Sequence, residues 1–250
     1  MQRPVALVTG GAGGIGRAVC RALAARGHLV VVADLDHPGA TAVAEQIGGH
    51  AFALDVADDE ANHAAVAFAL EQGGRLDHVV LNAGVVSGTG FGDGFDLGAY
   101  RRAMAINIDG VVFGLQAALP ALRATRGSAV ATASLAGLTA VPMDPFYAAN
   151  KHAVVGLVRS AGPALAADGI RVNAVCPGFT ESAIIAPIRD GLTASGVPII
   201  APDTVADVVV ALLQSDAVGE CWFVQNGRPA APFAFGNIPG PRPLPEDEAT

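Results

Sequence analysis

The stretch Val5–Gly16, VALVTGGAGGIG, decides the fold of this chain. It opens with a short apolar run, which predicts a buried strand, and it ends in a glycine-rich turn. After Gly16, small apolar residues recur at helical spacing as far as Gly27, a residue type that favours the end of a helix. A strand, a glycine turn and a helix in this order predict a phosphate-binding turn, because glycine lets the backbone approach a pyrophosphate and the helix offers free N–H groups.

Two registers of the glycine turn fit a dinucleotide-binding motif. One is G-x-G-x-x-G and the other is T-G-x-x-x-G-x-G, and they use Gly11, Gly13 and Gly16, or Thr9, Gly10, Gly14 and Gly16. We favour the second register because Gly10 comes directly after the strand. The structural alternative is a glycine turn without a ligand.

The second predicted strand, 28–33, ends at Asp34, eighteen residues beyond Gly16. An acidic side chain at this point accepts hydrogen bonds from the ribose of an adenine dinucleotide and repels a 2′-phosphate. We find no Arg or Lys placed beside Asp34 or the glycine turn to bind such a phosphate, so the sequence predicts NAD rather than NADP. The structural alternative is that Asp34 caps a turn with Asp36.

Five further apolar runs predict strands, and they cover 51–54, 78–81, 128–133, 170–176 and 221–224. Helical segments separate them, so we expect parallel strands whose carboxyl ends share one edge of the sheet. Six strands end at residues suited to a ligand site, namely Gly10, Asp34, Asp55, Asn82, Ser134 and Pro177. The predicted fold class is α/β: a single Rossmann-type doubly wound domain over 1–227, with a seven-stranded parallel sheet in the order 3-2-1-4-5-6-7 and helices on both faces.

Ser134, Tyr147 and Lys151 form the candidate catalytic group. Ser134 stands at the carboxyl end of the fifth strand, and Tyr147 and Lys151 are four residues apart on the next helix, so they share a face. A phenol is a poor base at neutral pH, but a nearby ammonium favours the phenolate. We therefore expect Lys151 to lower the pKa of Tyr147 and to make it a general acid/base. A Tyr–Lys pair alone is a weak signal, because such pairs are common on solvated helix faces.

The composition limits the classes of partner and site. The net charge of −8 argues against nucleic acid and anionic membranes as partners, and no apolar run in the sequence reaches membrane-spanning length. The three cysteines lack C-x-x-C spacing and are expected to be free thiols, and the six histidines form no ligand motif, so we expect no metal. Strand-like sequence begins by Pro4, which leaves no room for a signal peptide, and we expect a cytoplasmic protein.

With these motifs in hand, the chain resembles the classical short-chain dehydrogenase/reductase family to about residue 225. The glycine turn is similar to the family's cofactor motif, and Asn82-Ala83-Gly84 to its N-A-G motif. The resemblance implies a catalytic tetrad of Asn107, Ser134, Tyr147 and Lys151. It implies cofactor binding by Gly10, Gly14, Ile15, Gly16, Asp34, Leu35, Asp55, Val56, Asn82, Ala83, Gly84, Tyr147, Lys151, Pro177, Gly178 and Ser182.

The resemblance also implies a mechanism and a set of partners. Tyr147 exchanges a proton with the substrate oxygen, Ser134 orients that oxygen, and Lys151 holds the nicotinamide ribose. Asn107 keeps a water in the proton relay behind Lys151. The expected enzyme interconverts a small-molecule secondary alcohol and its ketone with NAD, as a homotetramer or homodimer. The alternatives are an NADPH-dependent biosynthetic carbonyl reductase and a non-catalytic dinucleotide-binding protein.

Two segments depart from the strand–helix pattern. Residues about 179–200 are mixed and predict a mobile substrate lid, and with it an apolar pocket formed by Val86, Val141, Met143, Phe179, Ile184 and Ile185. Asp144 and Glu181 are expected to repel carboxylates there. The proline-rich tail 228–250 predicts little regular structure, with residues about 229–240 packed on protein across a subunit interface through Phe233, Phe235 and Ile238, and with Glu246–Thr250 free.

Overall fold

The computed structural model describes residues 3–236 and residue 240, and these residues form one eight-stranded sheet with helices on both faces. The strand order is β3-β2-β1-β4-β5-β6-β7-β8. The strands are β1 Val5–Thr9, β2 Leu29–Asp34, β3 His50–Ala53, β4 His78–Leu81, β5 Ser128–Thr132, β6 Arg171–Pro177, β7 Cys221–Val224 and β8 Ala231–Pro232. Strands β1 to β7 pair in parallel, so the predicted doubly wound sheet and its order are confirmed.

The helices begin where sequence signals place them. They are α1 Gly14–Ala25, α2 His37–Ile47, α3 Asp59–Gly73, α4 Leu97–Met104, α5 Gly110–Thr125, α6 Pro145–Ala166, α7 Arg189–Ala194 and α8 Pro202–Gln214. Four aspartates accept a hydrogen bond from a first-turn N–H and so fix the starts of α2, α3, α4 and α6: Asp36, Asp58, Asp96 and Asp144. A π turn, Ala105–Asp109, joins α4 to α5.

Burial on both sides of the sheet explains the apolar composition of the central strands. Alternate residues of β1 enter two separate core clusters: Val5 and Leu7 pack with α3, α5 and α6, while Ala6 and Val8 pack with α1 and α8. A strand covered on both faces has no solvated side, and its sequence is therefore continuously apolar rather than alternating.

An eighth strand extends the predicted seven-stranded sheet. β8 is antiparallel to β7, and the Phe233 N–H donates to the Cys221 carbonyl at 2.8 Å. Phe235 packs against the core of its own chain, with the Arg159 guanidinium 3.7 Å from its ring centre. In the described part of the tail, 228–236 and 240, residues 231–232 form one short strand that the sequence did not predict. Ile238 and the segment Glu246–Thr250 lie outside the described residues.

One helical segment of the described residues has the length and composition of a membrane span. Leu97–Thr125, which joins α4, the π turn and α5, has a mean hydropathy of 1.4, and half of its apolar window is buried inside the protein. Val111, Leu115 and Leu122 lie in the core formed with the sheet. A helix buried in a protein core can have the same length and hydropathy, so this segment is only weak evidence for a membrane span. The helix also continues through Pro120, a residue type that usually kinks or breaks a helix.

Candidate active site

Hydrogen bonds tie together the carboxyl ends of the three central strands. The Asn82 side chain donates to the Thr9 and Gly10 carbonyls at 3.1 and 3.2 Å and accepts from the Thr132 hydroxyl at 3.1 Å. The Thr9 hydroxyl accepts from the Asn82 and Ala83 N–H groups. Asn82 therefore connects these strand ends through its side chain. Thr9, a residue of the glycine motif, and Thr132, which the sequence did not single out, complete the network.

The glycine turn follows this braced edge closely. Gly10 has φ +64°, and a Cβ there would lie 2.9 Å from the Ala83 Cα, so the T-G-x-x-x-G-x-G register places its first glycine where a side chain does not fit. A Cβ on Gly16 would collide with the Gly10 carbonyl. No side chain among the described residues caps the start of α1 at Gly13. The amino end of α1 thus presents backbone N–H groups at the carboxyl edge of the sheet.

Asp34 lies at the end of β2, beside the glycine turn. Its carboxylate accepts from the Ala12 N–H and the Asp36 N–H, both at 2.9 Å. It therefore makes the turn contact of the structural alternative and also supports the glycine turn, and a carboxylate has further acceptor positions for a ribose. Arg17 corrects one expectation, because its guanidinium lies against the same turn and donates to the Ala12 carbonyl at 2.8 and 3.2 Å.

Three further residues that the resemblance assigns to cofactor binding, Leu35, Asp55 and Val56, differ in exposure. Leu35, next to Asp34, is 73% exposed. Asp55 is exposed and accepts from the Ala57 N–H at 3.0 Å, whereas Val56 is buried against Gly110. The two acidic side chains at this end of the sheet, Asp34 and Asp55, follow β2 and β3, which are neighbours in the sheet.

Ser134 and Tyr147 meet at the end of β5. Asp144 caps α6 by accepting from the Tyr147 N–H at 2.9 Å, which fixes the turn that carries Tyr147. The Ser134 hydroxyl lies close enough to the Tyr147 hydroxyl to affect its pKa. Burial raises the pKa of Tyr147, the Ser134 hydroxyl partly offsets this, and the Asp144 charge adds to the rise. The predicted lowering of the Tyr147 pKa by Lys151 is therefore not seen in the protein alone.

Lys151 is buried below Tyr147 and faces the same site. Its ammonium lies 5.7 Å from the Tyr147 ring centre and donates to the Thr132 carbonyl at 2.8 Å. Burial lowers the pKa of Lys151 to about 8, because a charged group loses its hydration there. An ammonium has three donors, so Lys151 retains donors for a ligand hydroxyl.

Asn107 lies in the π turn and is fully buried. Its amide donates to the Val85 carbonyl at 2.8 Å and accepts from the Val85 N–H at 2.9 Å. A Cβ on Gly84 would lie 3.1 Å from the Asn107 Oδ1 and 3.4 Å from the Lys151 Nζ, so Asn107 and Lys151 approach one point beside Gly84. The Asn107 side chain is used to hold the chain after β4.

The Pro177-Gly178 turn and the predicted lid close the other side. The Gly178 N–H donates to the Val224 carbonyl at 2.9 Å, and the Ser134 hydroxyl lies 3.5 Å from the Pro177 carbonyl. A Cβ on Gly14 would lie 2.6 Å from the Glu181 carbonyl and 3.3 Å from the Ser182 Cβ. The first lid residues therefore lie directly over the amino end of α1.

The predicted apolar pocket is only partly assembled. Ile185 is buried, but Met143 is 94% exposed, and Val86 and Phe179 are well exposed. The two acidic groups are both engaged: Asp144 accepts from the Ser87 N–H and hydroxyl, and Glu181 pairs with Arg189 at 3.0 Å. Their expected repulsion of carboxylates is weakened accordingly. A cavity of about 600 Å³ lies within the lid segment, between Arg189 and 196–202, away from Tyr147.

The residues present fit a dinucleotide. The uncapped start of α1 suits a pyrophosphate, the Asp34 carboxylate suits a ribose, and the free donors of Lys151 lie beside Tyr147. Among the described residues, no group of three or more acidic, His or Cys side chains could hold a metal ion. Fold and site together define a dinucleotide-binding α/β oxidoreductase.

The comparisons narrow this class to a family. The family model described as short chain dehydrogenase matches residues 4–193. The cyclohexanol dehydrogenase of Acinetobacter sp. (strain SE19) is 35% identical over 222 residues, which are 85% of this chain and 88% of the relative. The trans-4-hydroxycyclohexanecarboxylate dehydrogenase of Sinomonas cyclohexanicum is 37% identical over 198 residues, 75% of this chain and 76% of the relative.

A solved structure agrees with these relatives. The 3-ketoacyl-(acyl-carrier-protein) reductase of Brucella melitensis, complexed with NADH, aligns with a TM-score of 0.83 and 27% identity, over 91% of this chain and 98% of its own. The chain belongs to the short-chain dehydrogenase family. It is an oxidoreductase of that family, whose cofactor is a nicotinamide dinucleotide, NAD or NADP.

Proposed function

We propose that this protein is an NAD-dependent dehydrogenase that interconverts a secondary alcohol and its ketone. The observation that carries the proposal is the meeting of Ser134, Tyr147 and Lys151 at the edge of the sheet that also carries the uncapped start of α1. The bound dinucleotide supplies or accepts the hydride. The Ser134 hydroxyl orients the substrate oxygen, and Tyr147 gives its hydroxyl proton to that oxygen or takes one from it.

The proposed role of Lys151 is to stabilise the Tyr147 phenolate during this proton exchange. The Thr132 carbonyl holds its ammonium beside the Tyr147 ring, and its remaining donors would bind a ribose hydroxyl of the dinucleotide. Burial makes Tyr147 a weaker acid, and Ser134 offsets this only in part. The proposal therefore requires that the Lys151 ammonium, 5.7 Å from the ring centre, stabilise the phenolate during the proton transfer. Asn107 supports the arrangement by fixing the chain beside Gly84.

NAD is the proposed cofactor because the Asp34 carboxylate lies beside the glycine turn, where it would accept hydrogen bonds from an adenine ribose and repel a 2′-phosphate. The alternative, an NADPH-dependent carbonyl reductase, needs a cation for the 2′-phosphate. Arg17 is the basic side chain against the glycine turn, and the Ala12 carbonyl holds its guanidinium. The comparison of kcat/KM for NAD and NADP with one substrate tests the assignment, and a preference for NADP or NADPH would overturn it.

The proposed substrates are weakly polar secondary alcohols, with cyclic ones first. The relatives named for cyclohexanol and for a hydroxycyclohexanecarboxylate support a ring substrate. The apolar residues near the site, including Ile185, give dispersion contacts and few hydrogen bonds. Purified protein with NAD should form NADH with cyclohexanol and its ring-substituted analogues. A clear preference for sugar alcohols or acyclic hydroxy acids would contradict the proposal.

A further inference from the structure

Ala12 stands in the middle of the glycine turn, with two glycines on each side of it between Gly10 and Gly14. Glycine has more backbone freedom than any other residue, so a turn built from glycines loses much conformational entropy when it is ordered. A ligand that met a loose turn would bear this cost when it bound. The contacts that hold Ala12 therefore influence how tightly a dinucleotide binds.

Two charged side chains hold the backbone of Ala12. The Asp34 carboxylate accepts from the Ala12 N–H at 2.9 Å. The Arg17 guanidinium donates to the Ala12 carbonyl through two nitrogens, Nη2 at 2.8 Å and Nε at 3.2 Å. Ala12 is also buried, and a Cβ on Gly39 of α2 would lie 3.1 Å from its methyl group. Both polar groups of its backbone and its side chain are thus fixed by surrounding residues.

The hydrogen bonds from Arg17 also set the orientation of the peptide between Ala12 and Gly13. A trans peptide carries its C=O and N–H on opposite sides, and a flip next to glycine is sterically easy. With the carbonyl held by Arg17, the Gly13 N–H donates to the Gly10 carbonyl at 3.3 Å. A flipped peptide would bring two carbonyls together and open the turn. Arg17 therefore keeps the turn closed directly before the uncapped start of α1.

We infer that Arg17 is a positioning residue for the cofactor, which together with Asp34 holds the glycine turn in the form that binds the pyrophosphate. Arg17 lies on the first turn of α1, where its own N–H donates to the Gly13 carbonyl at 2.7 Å. One residue thus joins the helix to the turn through both its backbone and its side chain. The inference rests on the proposed NAD-dependent function, because it assigns Arg17 to the binding of that dinucleotide.

The test compares Arg17→Leu and Arg17→Gln with the wild-type enzyme. Leucine removes the charge and both hydrogen bonds, whereas glutamine has its amide nitrogen where arginine has Nε and keeps one donor without the charge. Arg17→Leu should raise the KM for NAD and the Kd for NADH about ten-fold, because two hydrogen bonds from a charged group are lost. The kcat at saturating NAD and the KM for the alcohol should stay unchanged. Arg17→Gln should recover a large part of the lost affinity.

A direct attraction between the Arg17 charge and the phosphates is the competing explanation. Under that explanation Arg17→Gln would bind NADH as weakly as Arg17→Leu does, and this result would overturn the inference. Arg21→Leu is the matched control, because Arg21 lies one turn later on α1 and pairs with Asp203 at 3.4 Å, both side chains being well exposed. It should leave both constants unchanged. Wild-type affinity for NADH in Arg17→Leu would also show the inference to be wrong.

Hydrogen exchange tests the turn without turnover and without a cofactor. The Ala12 and Gly13 amides should exchange several-fold faster in ligand-free Arg17→Leu than in the wild type, and Arg17→Gln should slow them again. Equal exchange in the three proteins would contradict the inference. ADP-ribose, which carries the pyrophosphate but no nicotinamide, should lose affinity by the same factor as NADH. A wild-type protein that binds NADH but oxidises no alcohol would overturn the proposed function, and the role of Arg17 would still be decided by these binding and exchange measurements.

Discussion

Tyr147 is the residue on which the proposed chemistry depends. Tyr147→Phe removes one hydroxyl and keeps the ring, so the fold and the NADH affinity should be retained. Loss of a general acid/base should lower kcat by about 10²- to 10⁴-fold. The measurement is steady-state NADH formation, together with the Kd for NADH. Tyr100→Phe is the control, because Tyr100 stacks with Phe146 in a separate aromatic cluster. Equal activity in Tyr147→Phe and the wild type would exclude the assignment.

Asp34 should decide between the two dinucleotides. Asp34→Ala with Leu35→Arg replaces a carboxylate by a cation at the end of β2, where Leu35 is already largely exposed. The ratio of kcat/KM for NAD to that for NADP should fall by about ten-fold or more, because a 2′-phosphate gains a charged partner. Leu35→Arg alone is the control that keeps the carboxylate. The prediction fails if the double variant retains the wild-type ratio.

The sequence predicts those site residues whose roles follow from their own chemical type. Ser134, Tyr147 and Lys151 do meet, since strand ends and helical spacing place them together. The buried Asn150 amide has no hydrogen-bond partner among the described residues, and this was not predicted, because it depends on how α6 packs against segments distant in the sequence. The contact of Arg17 with the Ala12 carbonyl was also not predicted. The sequence does not show that the long Arg17 side chain, on the first turn of α1, folds back over the glycine turn.

At the scale of elements, Asp144 connects the cap of α6 to the loop after β4. Its carboxylate accepts from the Tyr147 N–H and from Ser87, so one side chain holds both the catalytic helix and the loop. Asp144→Ala should destabilise the protein by about 1–2 kcal/mol through the lost cap. It should also lower kcat/KM, because Tyr147 and the loop lose their common anchor.

The control for Asp144→Ala is the loss of another aspartate that caps a helix. Asp58 caps α3 by accepting from the Ala61 N–H at 3.1 Å. Asp58→Ala should lower the free energy of unfolding by a similar amount and leave kcat and the KM for the alcohol unchanged. Urea denaturation and steady-state kinetics on both variants make the comparison. Equal kinetic effects of the two substitutions would show that Asp144 acts through stability alone.

Element boundaries follow the sequence where local signals are strong. The predicted runs at 78–81 and 221–224 are the observed β4 and β7, because apolar composition and buried pairing coincide there. β8 was not predicted, since a two-residue strand that contains Pro232 has no local signature and forms through its pairing with β7. The π turn was missed for a related reason: Ala105–Asp109 has an ordinary helical sequence.

For the whole molecule, two histidines at the amino edge of the sheet, the buried His28 and the half-buried His78, make stability depend on pH. Burial lowers the pKa of His78 to about 4, helped by the charges of His28, Arg171 and Arg75 and opposed by that of Asp77. Burial also lowers the pKa of His28. The unfolded chain takes up these protons below about pH 6.5 and the folded protein does not. Stability is therefore present above this pH and falls toward pH 4, by roughly 3 kcal/mol at most for His78.

His78→Asn should flatten this dependence. Asparagine can keep the hydrogen bond that the His78 Nδ1 makes with the Ser128 hydroxyl at 2.8 Å, but it does not titrate. The free energy of unfolding, measured between pH 7.5 and 4.5, should fall less steeply for the variant than for the wild type. His63→Asn on the exposed face of α3 is the control and should keep the wild-type slope. Parallel curves for His78→Asn and the wild type would contradict the prediction.

The tail should stabilise the protein because its strand β8 extends the sheet of the same chain. Truncation after Gly227 removes β8 from the edge of β7 and Phe235 from Arg159 and the core, so an unpaired strand edge and apolar surface become exposed. We expect a loss of about 1–3 kcal/mol in unfolding free energy and a stronger tendency to aggregate. Truncation after Gly236 is the matched control, because it keeps β8 and Phe235.

Native mass and turnover, measured on both truncations, test the predicted subunit contact separately. If only the shorter chain loses stability and both keep the wild-type mass, the tail acts within its own subunit. A lower mass for the chain that ends at Gly236 would instead assign a subunit contact to the last residues, and equal stability of all three chains would contradict the prediction.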